Sequence, residues 1–337
     1  MTEPMRTTDR QLDPDAVLEH LGLSGGPWFD DLVATGAPER PVVLPDGAEA
    51  RALLAELAVT DEDAVEALDA CPDPDRDPEL WWLLERCHQR LVSDMGGWSS
   101  LPWPGLPDEH GSLGRFFYLW VFVSAVPAVR EYHRSRGVSD EVSRETLTDL
   151  GGKVAVHRRI YGVGGLETQF WFTLHFRGVI YALGRLQFNL HEVTLDDPAL
   201  ASAVPDFSSG DVGLGVHIPE TGAMTPEACD ASFAAAREFF PRHFPEYDLR
   251  VATCSSWLLD EQLAEYLPET SNIVAFQRRF HPVPGGSDGD RAVFEFVFRR
   301  VRPSLDELPQ RTTLERAVVT HLRSGRHWQS RLGWIAL

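Results

Sequence analysis

The segment Gly213–Asp260 constrains the fold of this 337-residue chain more than any other. It reads as a strand, a tight turn, a capped helix and a second strand. Val216–Ile218 is a short apolar strand end, and Pro219–Gly222 has the residue types of a turn. Thr225 is a preferred N-cap residue, and the proline that follows it suits the first helical position. The segment therefore predicts a strand–helix–strand unit.

The turn that precedes this helix indicates which class of ligand the protein binds. A strand that enters a helix N-terminus through small residues leaves backbone N–H groups directed at the crevice beyond the strand. Such groups bind phosphate, because they are unpaired donors at the positive end of the helix dipole. We therefore expect an anionic ligand at this turn.

Helical periodicity dominates the first part of the chain, and strand patterns appear after Gly162. We expect a disordered tail over residues 1–12, a helical N-terminal domain over 13–145, and a mixed-sheet domain with flanking helices over 146–337. The fold class is therefore α+β.

Four strands of the second domain are predicted from runs of aromatic and β-branched residues. Gln169–Phe176 and Val179–His191 are separated by an Arg-Gly pair, which is a hairpin signal. Further strands are expected at Asn272–His281 and Ala292–Arg299, and a capping box starts a final helix at Thr312.

Composition excludes several functions. The formal net charge of −20 argues against nucleic acid or an anionic membrane as a partner. The only lysine is Lys153, and no P-loop motif occurs. The apolar run Phe116–Val129 is too short to span a bilayer and suits a core helix. The chain opens without a signal-peptide pattern, and we expect a cytoplasmic protein.

Cysteines and histidines are scattered along the sequence. The four cysteines form no CxxC pair, so reduced thiols are expected. The twelve histidines form no HxH or HxxxH pair, and no metal site is predicted.

Several stretches resemble one enzyme superfamily. VHIPETGAMTPE resembles the fourth strand and pyrophosphate turn of the GNAT acyltransferases. HFRGVIYALGRLQF, CSSWLLDEQLAEYLPETSNIVAFQRRF and RTTLERAVVTHLRSGRHW resemble an actinobacterial group. That group joins a helical N-acyltransferase domain to a GNAT-like C-terminal domain, and the resemblance covers most of the chain. It implies an enzyme that moves an acyl group from acyl-CoA, with acetyl-CoA expected first, to a small-molecule or peptide amine.

The resemblance also implies site residues. The coenzyme would be bound by the turn that comprises Ile218, Thr221, Gly222, Ala223, Met224 and Thr225. His217 and Glu220 are candidates for the base, with a sheet-bound histidine and a solvated turn residue as the alternatives. Tyr266 is the candidate proton donor to the leaving thiolate, or else a core tyrosine.

Two other functions stay open from the sequence. The turn lacks the arginine and the further glycines of the GNAT pattern. A non-catalytic module that binds an acyl-thioester, a nucleotide or a partner protein is therefore one alternative. The other is an acyl-cysteine hydrolase or transferase in which Cys254 is the nucleophile and His217 its base.

Overall fold

The computed structural model describes residues 12–99, 101–192, 210–301 and 303–337. These residues form two compact units. The first runs to Ser135 and resumes over Ser139–Val179, and the second comprises Arg136–Val138 and Ile180–Leu337. The division falls later in the chain than the expected boundary at residue 145. The expected tail, apart from its last residue, lies outside the described residues.

The first unit is helical, as predicted. Side-chain oxygens cap two of its helices: Thr60 accepts from the backbone N–H of Asp63, and Ser139 accepts from that of Val142. Both are residue types that satisfy an unpaired N–H at a helix start. The helices are α1 (Pro14–His20), α2 (Pro27–Thr35), α3 (Gly47–Glu56), α4 (Asp61–Asp69), α5 (Pro78–Ser93), α6 (Gly111–Ser135), α7 (Asp140–Leu147), α8 (Asp149–Tyr161) and α9 (Gln169–His175).

Helix α6 forms the centre of this unit. Its residues from Phe116 to Val126 are all buried, and the indole N–H of Trp120 donates to the carbonyl of Ala67 at 3.0 Å. Among the described residues, the segment Asp108–Ser135 alone has the length and hydropathy of a membrane span, and 67% of its most apolar window is buried inside the protein. The apolar residues of this helix therefore supply the core of the unit.

The predicted strand at Gln169–Phe176 is wrong, because α9 occupies these residues. Phe172 and Phe176 are four residues apart, which places them on one side of a helix. Both rings pack against Phe122 of α6, at centroid distances of 5.8 and 4.8 Å. Aromatic content favours a strand, but here burial against α6 overrides that propensity.

The second unit contains a mixed sheet, which confirms the α+β fold class. The sheet order is β1-β2-β3-β4-β7-β5, with β6 also paired to β7. Strands β3 and β4 are parallel and the other pairs are antiparallel. The strands are β1 (Ile180–Leu183), β2 (Leu186–Glu192), β3 (Val212–His217), β4 (Val251–Ser256), β5 (His281–Pro282), β6 (Ser287–Asp288) and β7 (Gln329–Ala336).

One long helix crosses between the two parallel strands, as the sequence predicts. Helix α10 (Pro226–His243) is capped by Thr225, whose hydroxyl accepts from the N–H of Ala228 at 3.2 Å. Phe233 of this helix packs edge-on against Phe188 of β2, with ring centroids 5.5 Å apart. The apolar side of α10 therefore covers one face of the sheet.

Two further predicted strands are helices. Asn272–Gln277 forms α11, which Ser271 caps. Residues predicted as the strand Ala292–Arg299 instead form the end of α12 (Asp290–Val293) and the π-helix Phe294–Phe298. Buried side chains on these segments join the cluster around Trp328, so packing again overrides strand propensity. The capping box predicted at the last helix, α13 (Thr313–Arg323), is confirmed.

Sequence reasoning missed helix α2 and strands β6 and β7 of the described chain. The hairpin predicted around Arg177-Gly178 forms seven residues later, between β1 and β2, where Gly184 has a φ of 77°. Strand β7 pairs with β4 on one side and with β5 and β6 on the other. Its interior position in the sheet, and not its local sequence, makes QSRLGWIA a strand.

Candidate active site

The parallel strands β3 and β4 separate at their carboxyl ends. Their pairing comprises Leu214 with Ala252 and Gly215 with Thr253. Strand β3 nevertheless remains paired with β2 as far as His217. Strand β4 likewise remains paired with β7 through its last residue. Beyond Gly215 and Thr253 the two strands therefore diverge, and we call this gap the β3–β4 opening. Crevices at the carboxyl ends of parallel strands are where such sheets bind ligands.

A polar face borders the β3–β4 opening. Alternation along the strands places Asn189, His191, His217 and Thr253 on one face of the sheet. Asn189 and Thr253 are both 6% exposed. Buried polar side chains need hydrogen-bond partners, so this face is organised by the bonds among these four residues.

The first of these bonds joins His217 to Asn189. The Nε2 atom of His217 lies 2.6 Å from Oδ1 of Asn189. Gly215 stands opposite Asn189, and a Cβ atom at Gly215 would lie 2.2 Å from that same oxygen. The glycine is therefore needed to make room for the bond.

The second bond joins His191 to Thr253, with 3.0 Å between the imidazole Nε2 and the hydroxyl oxygen. Burial lowers the pKa of His191, so its ring is neutral near pH 7. Sequence reasoning missed Asn189, His191 and Thr253. The signal was present in β2, where Gln187, Asn189 and His191 alternate as polar residues in an otherwise apolar strand.

Cys254 lies on the opposite, apolar face of the sheet. It neighbours Thr253 in β4, and successive side chains of a strand point to opposite faces. The side chain is 2% exposed, and burial raises the pKa of the thiol to about 12. His217 faces the other way, so the two do not form the thiol–imidazole pair that a covalent route requires.

The expected coenzyme turn follows β3 directly. Thr221, Gly222 and Ala223 are exposed, and Ile218, Met224 and Thr225 are half-buried. Gly222 has a φ of 68°, the left-handed conformation that favours glycine. The turn ends at the capped N-terminus of an 18-residue helix. Its accessible backbone and the positive end of α10 can attract an anion.

Arginines from neighbouring elements hold both ends of this turn, which has none of its own. Arg185, in the β1–β2 hairpin, donates from Nη1 to the carbonyl of Pro219 at 2.8 Å. Arg279, just after α11, donates from Nη2 to the carbonyl of Pro226 at 2.8 Å. Two arginine side chains therefore lie beside the turn, although the chain as a whole is acidic.

The structure places two predicted catalytic residues in specific contacts with neighbouring side chains. Glu220 accepts from Nη2 of Arg299, with 2.5 Å between Nη2 and Oε2. The hydroxyl of Tyr266 lies 3.1 Å from Nδ1 of His321, and its ring packs edge-on against Trp328 at 6.1 Å. A proton-donor role for Tyr266 stays a prediction. Among the described residues, no group of three or more His, Cys, Asp or Glu is arranged to hold a metal ion.

Comparisons with known proteins match both parts of the chain. The profile of an N-acyltransferase N-terminal domain matches residues 48–178, and that of a GNAT-like C-terminal domain matches residues 180–335. No curated protein matches the chain.

Solved structures resemble the whole chain. One is an acyltransferase in complex with decanoyl-CoA and teicoplanin, and another is the acyltransferase in complex with CoA and 10C-teicoplanin. A third is a mutant acyltransferase in complex with octanoyl-CoA. Each is 48% identical to this chain, has a TM-score of 0.88, and is matched over 97% of this chain and 100% of its own. The chain therefore belongs to this family of two-domain acyltransferases, in which an N-acyltransferase N-terminal domain precedes a GNAT-like C-terminal domain.

Proposed function

We propose that the enzyme transfers an acyl group from acyl-CoA directly to an amine at the β3–β4 opening. The amine nitrogen attacks the thioester carbonyl, the C–N bond forms and the C–S bond breaks. The ammonium proton passes to a base, and coenzyme A leaves as the thiol after protonation of the thiolate. The observation that carries this proposal is the divergence of β3 and β4 beside an accessible turn at a helix N-terminus.

The turn binds the diphosphate of the coenzyme in this proposal. The backbone N–H groups of the non-proline residues in 218–225 and in the first turn of α10 supply donors, and Arg185 adds positive charge beside them. Backbone groups near His217 and Ile218 then lie beside the thioester, where they can polarise its carbonyl.

His217 is the proposed general base. It ends β3 at the β3–β4 opening, and its hydrogen bond to Asn189 fixes the ring. The carboxylate of Glu220 is occupied by Arg299, which favours a structural contribution over proton transfer. The thiol of Cys254 is buried with a pKa of about 12, which favours direct attack over an acyl-cysteine.

The identity of both substrates is part of the proposal. The sequence resemblance favours acetyl-CoA, whereas the solved relatives hold octanoyl-CoA and decanoyl-CoA. We therefore propose a donor with a chain of about eight to ten carbons, by analogy with those relatives. Teicoplanin in two of them supports an amine on a glycopeptide as the acceptor. The expected cytoplasmic location belongs to the same proposal.

A donor competition tests these substrates. The enzyme is mixed with a glycopeptide that carries a free amine and with equal amounts of acetyl-, octanoyl- and decanoyl-CoA. Mass spectrometry of the glycopeptide then identifies the acyl group that has been transferred. Octanoyl and decanoyl products are expected in excess over acetyl. Acetylated glycopeptide as the main product would contradict the donor assignment, and an unmodified glycopeptide would contradict the acceptor assignment.

A further inference from the structure

One ion pair links the coenzyme turn to an unusual piece of backbone. Glu220 lies in the turn, and Arg299 ends the π-helix Phe294–Phe298. Their side chains are 21% and 26% exposed, so the pair is partly shielded from solvent. Shielded, charge-assisted hydrogen bonds are stronger than those at an open surface.

The backbone at Arg299 is held in a conformation that side chains rarely adopt. Its φ and ψ are 56° and 45°, in the left-handed region, and the residue is not a glycine. Nη1 donates to the carbonyl of Glu295 at 3.0 Å, and the same guanidinium also contacts the carbonyl of Phe296. Strained conformations persist where the surroundings determine them, and they concentrate at functional sites, as π-helices do.

Arg299 has an electrostatic role beside the turn. A carboxylate inside a turn that binds a diphosphate repels that ligand unless a cation neutralises it. Arg299 neutralises Glu220, and Arg279 pairs with Asp230, which follows the first turn of α10, at 2.8 Å. Glu220, the acidic residue within the turn itself, therefore has an arginine partner.

We propose that Arg299 is a positioning residue for the coenzyme: it neutralises and holds Glu220, and thereby keeps the turn Ile218–Thr225 in the form that accepts the diphosphate. This inference rests on the proposed function. Arg299 contacts Glu220 of the turn, so it acts on donor affinity, whereas the chemical step depends on His217 and Asn189.

The test compares coenzyme A binding by calorimetry and steady-state kinetics in Arg299→Gly and Arg299→Lys. Glycine adopts the left-handed backbone without strain, so Arg299→Gly isolates the loss of the guanidinium. We expect Arg299→Gly to weaken coenzyme A binding about tenfold and to raise the donor KM similarly, with kcat changed by less than about twofold. Arg299→Lys keeps the charge and should recover part of the affinity. Arg250→Ala, which removes an exposed arginine that pairs with Asp211, is the matched control and should bind normally.

A double variant separates the effect of the Glu220 charge on coenzyme binding from a general loss of protein stability. In Arg299→Gly the carboxylate of Glu220 is left without this partner, so adding Glu220→Gln should restore part of the coenzyme affinity by removing the repulsion. Unchanged binding in Arg299→Gly, or no recovery in the double variant, overturns the inference. If the wild-type enzyme itself fails to bind coenzyme A, the proposed function fails, whereas normal wild-type binding with an unaffected Arg299→Gly removes only the role of Arg299.

Discussion

Asn189 determines which nitrogen of His217 carries the proton. The amide nitrogen of Asn189 donates to the carbonyl of Leu190 at 2.9 Å, which turns Oδ1 toward His217. An amide oxygen only accepts, so Nε2 of the neutral imidazole must be the donor. The nitrogen left to take a proton from an incoming ammonium is then Nδ1.

Substitutions at this pair should affect the chemical step. His217→Gln removes the base and should lower kcat by about 100-fold or more. Asn189→Ala removes the acceptor for Nε2–H, and we expect about a tenfold loss in kcat with the donor KM unchanged. Steady-state measurements of kcat and of the donor KM distinguish a loss in the chemical step from a loss in donor binding. A loss confined to the donor KM in either variant would place these residues in binding instead.

Gly215→Ala should disturb the same bond by steric contact. The new methyl group would lie 2.2 Å from Oδ1 of Asn189, so the amide must move away. We expect a loss of about 1–3 kcal/mol in the free energy of unfolding, together with reduced kcat. Urea denaturation measures the first quantity. Gly105→Ala is the control, because a Cβ there meets no atom within 4 Å. Equal stability of the two variants would show that the Asn189 side chain yields without cost.

Cys254→Ala should leave turnover nearly intact. The thiol is buried with a pKa of about 12, so almost none of it is thiolate at pH 7. We expect kcat within about threefold of wild type and a stability loss of about 1–2 kcal/mol from the small cavity. Complete loss of turnover in a folded Cys254→Ala protein would revive the acyl-cysteine mechanism.

Acid should destabilise the helical unit through His133. Burial lowers the pKa of His133 to about 4, with smaller contributions from His175 and Arg130. Its Nδ1 atom lies 2.8 Å from the hydroxyl of Ser143. As the pH falls, the unfolded chain takes up this proton near pH 6.5, before the folded chain does. The contribution of His133 to the free energy of unfolding is therefore fully present above that pH. It then falls by about 3 kcal/mol as the pH drops toward 4.

His133→Gln should flatten this pH dependence, measured as the free energy of unfolding at pH 7, 6, 5 and 4. His281→Gln, at an exposed position, is the control and should retain it. A wild-type protein whose stability does not change over this window would show that burial does not suppress protonation of His133 in the folded state.

The sequence predicted elements well where local chemistry decides them. Thr225 and Thr312 cap the helices they were expected to cap, and the turn before α10 lies at the carboxyl end of a parallel strand. Predictions failed where packing decides. Phe172 becomes helical because it is buried against α6, and β7 is a strand because neighbours pair with it on both sides.

The candidate site likewise contains residues that the sequence could locate and residues that it could not. His217 and the turn could be located from the order of strand, turn and helix. Asn189 and Thr253 come from other strands, and only the register of the sheet brings them beside His217 and Gly215. Arg299 could not be found from the sequence at all, since its segment has the composition of a strand and forms a π-helix.

Direct transfer at the β3–β4 opening can be tested by rapid-quench measurement of the free thiol released from decanoyl-CoA. Enzyme and donor are mixed with and without a glycopeptide amine, and acylated product is counted in the same samples. Direct transfer predicts one thiol for each acylated amine and no thiol burst without the acceptor. A burst of one thiol per enzyme in the absence of acceptor, with decanoyl bound to the protein, would contradict it.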